Sequence, residues 1–107
     1  MSRWLPSVLK RVQELAAARR VYLTLKARRE LAALDFGLDE DDACDVLVNL
    51  TTEDSVGRLV SAATGEWMYI FKPSLAGAVL YMKLILRIDC VVVSFHEDED
   101  SDDEEGR

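Results

Sequence analysis

The sequence predicts an α+β fold, with an antiparallel sheet packed on N-terminal helices and a disordered acidic C-terminal tail. Three observations carry this. Apolar residues recur at helical spacing up to Leu50 and at alternating spacing from there to Phe95. Runs of helices followed by runs of strands fit segregated layers better than an alternating βαβ chain. The last eleven residues, 97–107, hold eight acids and almost nothing apolar, so they bury too little surface to offset the entropy of ordering.

The elements follow in order. "SVLKRVQELAAA" at 7–18 places Val8, Val12, Leu15 and Ala16 on one helical face, with Ser7 placed to cap it. "RVYLT" at 20–24 is a short strand. Thr24 then caps a second helix, "LKARRELAAL", which turns Lys26, Arg28 and Arg29 away from its apolar side and stops at Gly37. Asp39 opens a third helix with Ala43, Val46, Leu47 and Leu50 at i, i+3, i+4, i+7, and its first turn is crowded with acids, which the helix dipole favours. Four strands follow at about 56–63, 66–72, 78–87 and 90–96, punctuated by Gly65, Pro73 and Gly77. The expected organisation is one domain over 1–96 and a separate tail over 97–107.

Composition narrows the classes. The chain has 107 residues and a net charge of −7. The tail accounts for that charge, because residues 1–96 hold twelve acids and twelve bases. Within the body the charges are segregated: 1–36 is basic, with eight bases to three acids, and 37–54 has seven acids and no base. The longest apolar stretch, "LAGAVLYM", is far short of the about 20 residues that span a bilayer, and the N-terminus lacks the apolar core of a signal peptide. A cytoplasmic protein with no membrane partner is expected. Cys44 and Cys90 lie in different elements without metal-ligand or CxxC spacing, so both read as reduced core thiols.

Strand parity singles out a candidate site. Side chains alternate between faces. Leu80, Met82, Leu84, Leu86 and Ile88, with Val91, Val93 and Phe95, form a wholly apolar set expected against the helices. The other face is expected to carry Tyr81, Lys83, Ile85 and Arg87, then Cys90, Val92, Ser94 and His96, with Lys72 and Arg58 from the preceding strands. Cations, a phenol and the sole histidine would meet there with no acid among them. RNA cleavage calls for those parts: a base for the 2′-hydroxyl, cations for the phosphorane, and an acid for the leaving 5′-oxygen. Solvated lysines on an open sheet face are the plainer reading. "HEDED" at 96–100 also holds metal-type ligands, but no cofactor or metal is expected from a tail of that kind.

The ordered series "FGLDEDDACDVLVNLT", Asp54, Trp67, "KP" at 72–73, Gly77, "YMK" at 81–83, Asp89 and "VVVSF" at 91–95 resembles the MqsR family of toxin–antitoxin toxins over roughly 36–96. The resemblance implies a RelE-like fold. It also implies a metal-independent endoribonuclease that cuts single-stranded mRNA at short GC-containing sites to a 2′,3′-cyclic phosphate and a 5′-hydroxyl, and a cognate antitoxin as partner. Carried over by position, it implies Tyr81 as the catalytic tyrosine. Arg58 stands near a family lysine, Met68 where the family has glutamine, and His96 where it has lysine. The catalytic set is then Tyr81, His96 and Arg58, with Lys83, Lys72, Arg87 and Met68 at the RNA. A catalytically weakened relative that binds RNA or a protein is the alternative, and Met68 favours it. A DNA-binding regulator finds no helix-turn-helix pattern to support it. The acidic tail either solvates the terminus or, tethered beside a cationic cleft, competes with RNA for it.

Overall fold

The computed structural model describes residues 2–98. Helix α1 (Leu5–Ala17), strand β1 (Val21–Leu23), α2 (Leu25–Ala33) and α3 (Glu40–Val48) precede a 3-10 turn at Thr52–Asp54. Strands β2 (Ser55–Val60), β3 (Trp67–Phe71), β4 (Ser74–Leu75), β5 (Ala78–Leu86) and β6 (Cys90–Glu97) complete the order. The described sheet runs β1-β6-β5-β3-β2, with β4 paired to the start of β5. All pairings are antiparallel except β1 with β6. The α+β class is thus borne out, with one parallel edge added to an antiparallel sheet. That edge arises because α2, not a hairpin, follows β1.

Local chemistry accounts for the helix ends. α1 begins at Leu5 rather than after Ser7; Trp4 is the N-cap residue and Pro6 occupies the first turn, where its fixed φ suits a helix. Arg19 ends α1 in the left-handed region, and its N–H and that of Arg20 bond the Ala16 and Leu15 carbonyls, a Schellman stop. Thr24 caps α2 by accepting the Ala27 N–H at 3.1 Å. α2 ends at Ala33, before Gly37, because Leu34 turns extended. Asp39 and Asp42 form a reciprocal capping box on α3, both bonds 2.9 Å. Replacing Thr24 by alanine is expected to cost about 1 kcal/mol, read as a lower urea midpoint with an unchanged slope.

The helices bury one face of the sheet. Val12 and Leu15 of α1, Leu23 of β1, and Leu47 and Leu50 in and after α3 meet Phe71, Leu80, Met82, Leu84, Val92 and Phe95 in one cluster. Cys44 and Cys90 are buried free thiols in it. Burial, with a smaller contribution from the nearby Cys44, pushes the Cys90 thiol up to about 12, and burial raises Cys44 as well. Thiols held protonated in this way are inert.

The expected face assignment fails in one segment of β6. Lys83 pairs with Ser94 but Leu84 pairs with Val92, so Val93 is an extra residue. This bulge reverses the parity on its N-terminal side. Cys90 and Val92 point into the core, opposite Leu86 and Leu84, and Val91 faces the other way, opposite Ile85. Phe95, Ser94 and His96, beyond the bulge, keep the expected faces. Ile88 is not a core residue: it is 74 % exposed in the tight connection that follows β5.

β6 also runs further than 96. Glu97 pairs with Leu80, and the Asp98 N–H donates to the Val79 carbonyl at 2.8 Å, so both belong to the fold. The expected acidic tail lies outside the described residues from Glu99 onward. Among the described residues no helix is long and apolar enough to cross a membrane.

Candidate active site

The second face of the sheet is built on cross-strand pairs. Tyr81 on β5 lies directly opposite His96 on β6, and Lys83 opposite Ser94. The Tyr81 and His96 rings stack, with centroids 5.0 Å apart and planes 11° from parallel. The Lys83 ammonium lies 5.9 Å from the centre of the Tyr81 ring and the Lys72 ammonium 5.8 Å. A phenol, an imidazole and two ammonium groups are therefore gathered where alternation placed them. Lys72 pairs with Asp98 at 3.4 Å, and both side chains are largely buried.

The imidazole is oriented. His96 Nδ1 sits 2.8 Å from the Glu97 carbonyl oxygen. A carbonyl only accepts, so Nδ1 carries the hydrogen, which leaves Nε2 to exchange a proton with a ligand. His96 lines a groove of about 550 Å³ with Glu30, Asp35, Phe36, Ala78 and Glu97. The groove opens on the imidazole side of the stacked pair, and Tyr81 does not line it.

Three of the sequence candidates lie elsewhere or contribute differently. Arg58 was expected beside Tyr81, but it pairs with Tyr69, and Tyr69 pairs with Leu84. That row faces the helices, so Arg58 stands on the opposite face from Tyr81. Its guanidinium lies 3.8 Å from the Trp67 ring centre and 4.8 Å from that of Trp4, a cation–π sandwich at the margin of the core. A bulge between Ser55 and Gly57 shifts the β2 register just before it. Arg87 stands just past the opposite end of β5, held by both oxygens of Glu66 at 2.6 and 2.8 Å. The Arg87 hydrogen bonds, helped by Thr64, hold the Glu66 carboxyl down at about 2. Met68 pairs with Leu59 and shares the second face with Ile70, the partner of Lys83, but its thioether donates no hydrogen bond.

Sequence reasoning missed two contributors from α2. Lys26 donates to the Ser94 hydroxyl at 2.9 Å, and Glu30 accepts the Phe95 N–H at 2.8 Å. Burial works to raise the Glu30 carboxyl, but hydrogen bonds from Lys26 and the Phe95 amide, with the charges of Lys26 and His96, hold it below the usual value. The i, i+4 spacing of Lys26 and Glu30 was visible as a helix pair. Its docking against β6 was not. No group of three or more His, Cys, Asp or Glu placed to hold a metal occurs among the described residues.

Fold and site together define a small α+β domain that carries acid–base groups beside cations on the sheet face turned away from its core. The chain belongs to the MqsR toxin family: the family model described as "Motility quorum-sensing regulator, toxin of MqsA" matches residues 6–97. The chain is also similar to the mRNA interferase toxin MqsR of Escherichia coli (strain K12), 30% identical over 90 residues, covering 83% of this chain and 90% of that protein. The resemblance carried by the motifs of 36–96 is thus borne out, and it reaches through the N-terminal helices.

Proposed function

We propose that this chain is an endoribonuclease toxin that cuts single-stranded mRNA without a metal, leaving a 2′,3′-cyclic phosphate and a 5′-hydroxyl, and that an antitoxin protein of the kind named in the family description restrains it. The Tyr81–His96 stack, flanked by the Lys83 and Lys72 ammonium groups, carries the reading. His96 Nε2 takes the proton of the 2′-hydroxyl as the 2′-oxygen–phosphorus bond forms. Tyr81 gives its phenolic proton to the 5′-oxygen as the phosphorus–oxygen bond to it breaks. Lys83, with Lys72, offsets the charge that gathers on the phosphorane. The relative named an mRNA interferase toxin supports mRNA as the substrate.

Two observations favour a second reading, a weakened relative that binds RNA without cutting it. Met68 has no hydrogen bond to donate to a base and is only a weak acceptor, and Arg58 faces away from the pair. One assay separates the readings. Purified protein and a defined single-stranded RNA, with and without EDTA, are expected to yield cyclic-phosphate ends in both arms, with the ends lost on Tyr81→Phe. RNA binding without those ends would sink the enzyme reading and leave the second.

A further inference from the structure

One edge of β6 changes neighbour half way along. β1 pairs with it only over Cys90–Val92, and the Thr24 N–H makes the next bond, to the Val92 carbonyl. There the chain turns into α2, so the amides beyond have no strand to meet on that side. Edge groups left without partners are costly and invite fraying or slippage. α2 supplies a side chain in place of a strand. One oxygen of Glu30 accepts the Phe95 N–H at 2.8 Å, and its other oxygen accepts from the Lys26 ammonium at 2.7 Å. That ammonium also donates to the Ser94 hydroxyl at 2.9 Å. Ser94 is almost fully buried, and the Glu30 side chain is only 21% exposed. A single carboxylate therefore ties the helix to the two residues that lead into His96.

We propose that Glu30 is a positioning residue for the Tyr81–His96 pair, holding the 94–97 end of β6 against α2 so that the imidazole stays stacked on the phenol. The proposal rests on reading the chain as a ribonuclease, and it adds a residue from outside the sheet. Glu30 acts through the Phe95 amide, one residue from His96, and shares the groove that His96 lines. The bulge at Val93 lies just before the tied segment, where an extra residue gives the strand a second register to slip into. A carboxylate on both Phe95 and Lys26 opposes that slip.

The test compares Glu30→Ala and Glu30→Gln in the full chain. Glutamine keeps an oxygen for the Phe95 N–H, and alanine does not. In Glu30→Ala, kcat for RNA cleavage is expected to fall about tenfold or more, since a misplacement near 1 Å can cost about a hundredfold, with KM little changed. Phe95 amide exchange should speed up and the Tyr81–His96 ring contacts in NMR spectra should weaken. Glu30→Gln should restore most of kcat, the slow exchange and the ring contacts. An unchanged kcat in Glu30→Ala with faster Phe95 exchange would overturn the proposal. So would equal losses in both variants with exchange unchanged, because charge would then matter and position would not. Should Glu30→Ala fail to fold, Glu30→Asp, one methylene too short, takes its place in the same comparison. If the wild-type chain cuts no RNA, the functional reading fails by itself. The exchange rate and ring contacts still decide whether Glu30 holds the pair, and unchanged contacts in Glu30→Ala would end the proposal.

Discussion

His96→Ala is expected to lower the rate of RNA cleavage by about 10²-fold or more, the usual worth of a positioned general acid or base, while leaving the fold intact. His96 is half-buried at the end of β6 and packs face to face on Tyr81. Losing that stack costs about 1 kcal/mol, too little to unfold a domain of ordinary stability. The thermal midpoint should therefore move only slightly as activity collapses. His96→Lys refines the result, since lysine keeps a cation but titrates far above neutral pH. A rate near wild type in His96→Lys, with His96→Ala dead, would assign His96 to holding phosphate rather than moving a proton. Equal rates for His96→Ala and wild type would remove His96 from the mechanism.

Phe71→Ala is expected to cost about 3–5 kcal/mol, the range for emptying a large buried aromatic site. Phe71 is fully buried at the end of β3, opposite Met82 on β5, and both side chains face the helices. α1 and α3 are held to each other and to the sheet through this cluster, so the cavity cannot close by a local shift alone. The loss is a large fraction of the stability of a small domain, about 5–15 kcal/mol, and reaches the lower end of that range. Urea titration should show a midpoint far below wild type, or a chain already largely unfolded in buffer. A loss below about 1 kcal/mol would mean that Phe71 is not packed as described.

Most of the elements were legible because their signals are local. Thr24 and Asp39 cap the helices that the sequence assigned to them, through side-chain oxygens reaching amides three residues on. Alternation found the long strands to within a few residues and put Tyr81, Lys83, Lys72 and His96 on one face. The two-residue β4 was missed, since Ser74–Leu75 is too short to show a period. It exists because Ala76 and Gly77, both at positive φ, fold it back on β5 in a tight hairpin. The site was half legible. The tight turn alone would set Tyr81 opposite Phe95, and it is the extra residue at Val93 that brings His96 opposite Tyr81. Arg58 and Arg87 were grouped with it by sequence alone, but one faces the core and the other is bound by Glu66.

Periodicity, caps and turn residues in the chain determined by themselves that helices come first, that strands follow, and that β5 turns its phenol and lysine to the face opposite its apolar residues. These properties depend on residues a few positions apart, so they can be read along the chain. The tertiary structure alone decided that Val93 bulges and turns Cys90 and Val92 inward, that Arg58 sits between Trp4 and Trp67, and that Glu30 reaches the Phe95 amide. Each of these depends on which distant backbone a strand meets and in which register. That choice is made by packing the whole core at once, and no local window of sequence contains it.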